Sequence, residues 1–239
     1  MMDFNGKNIL IVGGSSGIGL ALVKLLHQQH AHIYVVSRTA SEEWPENIHF
    51  LKADVTGNLD AVEMFLPEQL HGLVYSVGSI TLKPFNRLTA EDFLKDFQLN
   101  ALGAALMIQQ AIKPIKNAAG SSIVLISTVA ARTGMPYHAS IAAAKGAVEG
   151  IALSLAAELA IQQVRVNVVA PSLTDTPLAQ SLLSTPEKRE ASAKRHPLGK
   201  IGQPEDISQL IAFLLSDDSS WMTGQVIGLD GGLGKLKTS

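Results

Sequence analysis

The sequence predicts a doubly wound α/β fold: a parallel sheet of about seven strands, helices on both faces, and a single domain spanning residues 1–239. Three observations predict it. Short β-branched runs alternate with stretches of helical spacing along the whole chain. The runs are continuously apolar, as strands buried on both faces must be. A glycine cluster also sits at the first strand-to-helix junction, where open sheets of this kind bind ligands.

Taken in order, the first strand is Ile9–Val12, followed by the turn Gly13-Gly14-Ser15-Ser16-Gly17-Ile18-Gly19 and a helix over Gly17–Gln29. Strands at Ile33–Val36 and Ile48–Leu51 precede a short helix, Leu59–Leu66. A fourth strand, Leu73–Val77, leads to a long helix, Ala90–Lys116, and a fifth strand at Ile123–Ile126. The helix Ser140–Gln162, with Ser140 as its N-cap, is followed by the strand Val164–Val169, the helix Pro204–Leu215 and the strand Val226–Leu229. Right-handed crossovers then distribute the helices over both faces. No linker or internal repeat divides the chain.

Over Ile141–Ala160 the only charges are Lys145, Glu149 and Glu158. A helix apolar nearly all round is covered on more than one side. The sheet covers one side, so a second subunit is expected on the other, giving a homodimer or homotetramer through helices 90–116 and 140–162.

Composition excludes several classes. With no cysteine, disulfides, thiolate catalysis and zinc–sulfur sites are ruled out. A net charge of -2 with dispersed basic residues gives no nucleic-acid surface. Met1 to Asn8 lacks the basic start and long apolar stretch of a secretory signal. Gln98, Asn100, Gln109 and Gln110 interrupt the long uncharged stretch Phe97–Ile112, which therefore reads as a buried helix rather than a membrane span. A cytoplasmic protein without a membrane partner is the expectation. His27, His30 and His32 cluster where the first helix ends, with no carboxylate to complete a metal site, and the helix dipole accounts for them.

Glycines in a strand–turn–helix let the backbone approach a pyrophosphate, whose charge sits on the helix N-terminus. About 20 residues further on, dinucleotide folds place an acid for the ribose 2′-hydroxyl. Here that place holds Ser37-Arg38, with no carboxylate before Glu42. An arginine beside a small hydroxyl suits a 2′-phosphate, so NADP(H) is favoured over NAD(H).

With these features the chain resembles the short-chain dehydrogenase/reductase family, a Rossmann-type fold, over essentially its whole length. The matching motifs are Gly13-x-x-x-Gly17-x-Gly19, Asp54 in Ala53-Asp54-Val55, Asn100 in Gln98-Leu99-Asn100-Ala101, and Asn167-Val168-Val169-Ala170-Pro171 followed by Thr174 and Thr176. Gly202-Gln203-Pro204-Glu205-Asp206, Thr223-Gly224-Gln225 and Asp230-Gly231-Gly232 resemble the family's C-terminal features. The resemblance implies a cofactor site at the Gly13–Gly19 turn (with Ser15, Ser16 and Ile18), Ser37, Arg38, Asp54, Val55, Ser76, Gly78, Lys145, Pro171, Thr174 and Thr176.

The departures are informative. Val12 stands where the family has threonine, Ser172 where glycine is common, and Tyr75-Ser76-Val77-Gly78 where the family has Asn-Asn-Ala-Gly. Those amides tie neighbouring strands together; Ser76 offers a shorter hydroxyl. In the family a tyrosine stands four residues before a lysine, and a serine about thirteen residues before the tyrosine. Lys145 is the lysine implied, but four residues before it stands Ile141, and thirteen before that Thr128, next to Ser127. The expected catalytic set is therefore Asn100, Thr128 and Lys145, with the proton donor missing.

In carbonyl reduction the phenol supplies a proton to the developing alkoxide, and such catalysis contributes roughly 10²–10⁴ in rate. Isoleucine only fills space, while the Thr128 and Ser127 hydroxyls remain able to hydrogen-bond an oxyanion. Tyr137 and His138 lie in the loop expected before the helix and are the nearby candidates for a relocated acid; the plainer reading is a surface aromatic and histidine. Were that segment helical, the eight residues from Tyr137 to Lys145 would span about 12 Å. Segments 79–88 and 173–197 are expected to form the substrate region, with Ile80, Met135, Leu173, Leu178, Leu182 and Leu183 as an apolar wall. The reading is an oxidoreductase for an apolar carbonyl or alcohol with impaired acid catalysis; a cofactor-binding protein without turnover, serving as redox sensor or structural subunit, is the alternative.

Overall fold

The computed structural model describes residues 2–237. Seven parallel strands run in the order β3-β2-β1-β4-β5-β6-β7. They are β1 (Asn8–Val12), β2 (His32–Ser37), β3 (His49–Lys52), β4 (Gly72–Tyr75), β5 (Ser122–Ile126), β6 (Arg165–Pro171) and β7 (Val226–Leu229). The helices are α1 (Gly17–Gln28), α2 (Asp60–Phe65), α3 (Ala90–Phe97), α4 (Gly103–Asn117), α5 (Ala139–Leu159), α6 (Pro186–Lys194) and α7 (Pro204–Leu215).

Alternate residues of each strand feed two cores. Ile9, Ile11, Val35, Val74 and Val124 pack with Leu22 and Leu26 of α1 and Ile207 and Ile211 of α7. Leu10, Val12, Tyr75 and Leu125 face the opposite way, against Met107 and Ile108 of α4 and Val148 and Ala152 of α5. Both faces are dry, which is why the strands read as unbroken apolar runs. The chain builds outward from β1 through β2 to β3, then returns to place β4 on the other side of β1. A crevice opens at that reversal, beyond the carboxyl ends of the strands.

The structure corrects three expected boundaries. The helix over 90–116 is broken by a π turn, Gln98–Leu102, which sets α4 one residue out of phase with α3. Ser140 is not an N-cap: α5 begins at Ala139 with His138 at the cap position, and the buried Ser140 hydroxyl donates inward to Asp96, 2.7 Å away. The fourth strand stops at Tyr75, so Ser76 and Val77 lie in the turn beyond it. In addition, the segment 173–197 holds a 3₁₀ stretch, Pro177–Leu183, and α6.

By length and composition alone the helical segment Ala139–Gln162 is apolar enough to cross a membrane. It instead lays Ile141, Ala144, Val148, Ala152 and Ala156 against the rest of the molecule. Large apolar side chains remain exposed on its outer side and along the neighbouring helices: Leu94, Phe97, Leu102, Leu106 and Leu153.

Candidate functional site

The glycine turn leaves β1 with Gly13 and Gly17 at positive φ, +88° and +53°. A side chain at Gly19 would collide with the Gly13 carbonyl oxygen and the Ser76 hydroxyl, so the helix closes onto the strand only because that position is bare. No side chain caps α1 and its first turn holds no acid, which leaves its N–H groups directed at the crevice. Two side chains brace the turn from outside. The Trp44 indole N–H donates to the Gly14 carbonyl at 2.8 Å, and the Ser76 hydroxyl lies 3.1 Å from both the Val12 and Gly13 carbonyl oxygens. Ser76 thereby ties β4 to β1. Trp44 belongs to no motif, so its role emerges only in the fold.

The crevice has a volume of about 420 Å³. Gly13, Ser15, Ser16, Gly17 and Ile18 form its floor; Ser37, Arg38, Asp54 and Val55 line one end, and Ser76, Gly78 and Thr176 the other. Arg38 is exposed and makes no ion pair among the described residues. The Ser37 hydroxyl donates to the Thr39 carbonyl at 2.7 Å. Asp54 accepts hydrogen bonds from the Thr56 N–H and hydroxyl, and these, with the nearby Arg38 charge, hold its carboxyl below the usual range. A bare cradle, open helix N–H groups and a free guanidinium together suit a ligand with a pyrophosphate and a further phosphate.

A second cavity, of about 320 Å³, adjoins the first and shares Ile18, Ser76, Val77, Gly78, Thr176 and Leu178 with it. Thr128, Ile141 and Lys145 stand together on its wall, as do Pro171 and Thr174. Lys145 is buried; its Nζ donates to the Ile126 carbonyl at 2.8 Å. Burial pulls its pKa down to about 8, against the pull of the Asp96 negative charge. The Thr128 hydroxyl accepts from the Ala130 N–H at 3.3 Å, and Ser127 donates to Glu149 at 2.8 Å.

Asn100 does not line the cavity. It lies in the π turn, fully buried, and its amide donates to the Ser79 hydroxyl at 2.9 Å and to the Asp96 carbonyl at 2.8 Å. Among the described residues its Oδ1 has no partner, and it stands beside Gly78 on the side where Lys145 Nζ also approaches. Asp96, which the sequence reading missed, anchors this region. Its fully buried carboxylate accepts hydroxyl donors from Ser79 (2.7 Å), Thr81 (2.9 Å) and Ser140 (2.7 Å). The spacing of four between Asp96 and Asn100 was the available signal, since it puts both on one helix face.

Of the two candidates for a relocated acid, only His138 reaches the wall, with Nδ1 2.7 Å from the Pro136 carbonyl oxygen. Tyr137 takes φ +70° and points its ring outward, 60% exposed, off the cavity lining. Ile80, Met135, Leu173, Leu178 and Leu182 form the expected apolar wall. Leu183 is a correction: it is buried in the packing of the 3₁₀ segment, 3% exposed, and takes no part in the wall.

A family model described as Enoyl-(Acyl carrier protein) reductase matches residues 12–234. A tropinone reductase homolog of Arabidopsis thaliana is 35% identical, over 97% of this chain and 94% of its own. A 3-oxoacyl-(acyl-carrier-protein) reductase of Thermotoga maritima is 34% identical, over 97% and 99%. Bovine (Bos taurus) L-xylulose reductase is 33% identical, over 95% and 96%. Among solved structures, a short chain dehydrogenase family protein of Francisella tularensis superposes with TM-score 0.88 at 31% identity, over 96% of this chain and 99% of that one. ElxO with NADP bound gives 0.86 at 28% identity, over 98% and 99%.

Proposed function

The chain belongs to the short-chain dehydrogenase/reductase family, whose members are nicotinamide-dependent oxidoreductases of carbonyls and alcohols, and on that premise we propose that it is a cytoplasmic, homo-oligomeric NADP(H) oxidoreductase lacking the usual phenolic acid. One observation carries the reading. The glycine-cradled crevice and the apolar cavity are joined at Ser76–Gly78, and Lys145, Thr128 and Ile141 meet on the cavity side of that junction.

In this reading the residues divide the work as follows. The Gly13–Gly19 turn and the α1 N-terminus hold the pyrophosphate, Arg38 with Ser37 pairs with the 2′-phosphate, and Asp54 receives the adenine. Pro171, Thr174 and Thr176 close over the nicotinamide, and Lys145 holds its ribose. When bound, the nicotinamide supplies or accepts the hydride at the substrate carbon. Thr128 donates a hydrogen bond to the substrate oxygen, and the leucine-lined wall excludes water and admits an apolar carbonyl or alcohol. Ile141, 5% exposed, lies one helical turn before Lys145 in the place the family gives to its tyrosine. It moves no proton, and turnover is lower by roughly 10²–10⁴ than with a phenol there.

Calorimetric titration with NADPH and NADH, followed by turnover of an apolar diketone, tests this. NADPH binds at least about tenfold tighter than NADH, and Arg38→Asp reverses the preference. Ile141→Tyr raises NADPH-dependent reduction by at least about 10². Binding of neither cofactor, or an unchanged ratio in Arg38→Asp, defeats the cofactor assignment. An Ile141→Tyr protein that binds NADPH but gains nothing defeats the assignment of position 141.

A further inference from the structure

Ser172 stands on the cavity wall just beyond the carboxyl end of β6, and its hydroxyl oxygen lies 2.9 Å from Nε2 of His196. His196 follows α6 and is 3% exposed; its Nδ1 lies 2.8 Å from the Ser192 carbonyl oxygen. A carbonyl only accepts, so in the neutral ring Nδ1 carries the proton and Nε2 presents a lone pair. Ser172 is therefore the donor. Ser192 fixes the imidazole in the tautomer that can take a proton from a serine.

Five other hydroxyls on this wall donate elsewhere, among them Thr174 to the Ser172 carbonyl and Thr176 to the Thr174 carbonyl. Ser79 donates to Asp96, Ser127 to Glu149, and Ser76 to the carbonyls of β1 and its turn. Among the described residues Ser172 is the one cavity hydroxyl bonded to an imidazole. The backbone N–H of Leu173, the next residue, has no acceptor among the described residues, since the neighbouring bridge to Gly202 uses the Leu173 carbonyl and the Asp175 N–H. An N–H directly after a nucleophile is a recurring donor to the oxyanion of acyl transfer.

We propose that Ser172 and His196 form a nucleophile–base pair acting on an ester or thioester of an apolar acyl chain, independently of any dinucleotide. The Ser172 Oγ adds to the acyl carbonyl carbon as its proton passes to His196 Nε2, and the carbonyl π pair moves onto oxygen, facing the Leu173 N–H. Collapse of the tetrahedral adduct breaks the bond to the leaving alcohol or thiol, which takes the proton from Nε2. Water then adds to the acyl-serine, giving a proton to Nε2; collapse releases the carboxylic acid and returns the proton to Ser172. Leu178, Leu182 and Met135 provide the surface for the acyl chain.

The test treats the whole protein with an alkyl fluorophosphonate and maps the label by mass spectrometry, beside hydrolysis of p-nitrophenyl butyrate. Ser172 is expected to be phosphonylated with loss of fluoride, and ester hydrolysis to show a burst. Labelling should be slower by at least about 10² in His196→Gln and lost at that position in Ser172→Gly. Because His196 is buried, His196→Asn is made as well, and the variant that keeps its circular dichroism is the one compared. A wild-type protein that takes no label at Ser172 overturns the proposal, as does equal labelling in the folded histidine variant. Neither readout depends on carbonyl turnover, so failure here and failure of the redox reading are separate results.

Discussion

A carboxylate at position 96 is fully buried and surrounded by three donated hydroxyls, and its charge offsets part of the cost of burying Lys145. Truncating it leaves Ser79, Thr81 and Ser140 without their shared acceptor and the buried Lys145 ammonium without the charge that offsets its burial. Asp96→Ala is accordingly expected to lower stability by about 3–5 kcal/mol, read from urea unfolding, with Asp96→Asn losing less because one acceptor oxygen stays. Legibility at this scale divides by sequence distance. That Ile141, Lys145 and Thr128 share one cavity wall was readable, because their spacing along the chain is itself the signal. The Asp96 cluster was hidden because its donors come from residues 79, 81 and 140, which only the tertiary fold brings together. The same fact explains the mistaken N-cap: Ser140 has the right chemistry for a helix start, but a buried acceptor outcompetes the backbone for its hydroxyl.

Between α3 and α4 the single π turn leaves the Leu99 carbonyl to accept from the Tyr75 phenol, 2.6 Å away. Gly103 makes the room, since a Cβ there would stand 2.5 Å from that phenol oxygen. Burial, and secondarily the Asp54 charge, pushes the Tyr75 pKa upward, so the phenol remains a donor. Tyr75 thus ties β4 to the turn that carries Asn100. Tyr75→Phe should cost about 1–3 kcal/mol in thermal or urea unfolding by orphaning the Leu99 carbonyl. The sequence showed one continuous helix here. A one-residue phase slip beside a segment as uniformly apolar as 101–108 leaves no mark on its periodicity.

Across the whole molecule, the strands, the class of sheet and the alternation of helices were all legible, because burial on both faces writes itself into the sequence as unbroken apolar runs. The contents of 173–197 were less so: the charges of α6 mask its helical spacing, leaving only Pro186 after Thr185 as a start signal. The exposed strip formed by Leu94, Phe97, Leu102, Leu106 and Leu153 lies on the helices that the sequence assigned to subunit contact. Leu153, 61% exposed, is the test position, because a charge there changes the strip without entering the core. Leu153→Glu is expected to reduce the sedimenting mass toward that of one chain, with circular dichroism unchanged; an unaltered mass would place the subunit contact elsewhere.

The indole that braces the glycine turn has an optical consequence. The chain holds two tryptophans, and Trp221, 98% exposed, is expected to emit as an indole in bulk water does. Trp44 is half-buried against Phe50, with its N–H bound to the Gly14 carbonyl in the glycine turn behind the crevice. Anything that settles on the turn alters the polarity around one emitter and leaves the other as an internal reference. The ratio of the blue to the red side of the emission band therefore follows occupancy of the crevice in the native protein, without a dye, a label or a reaction.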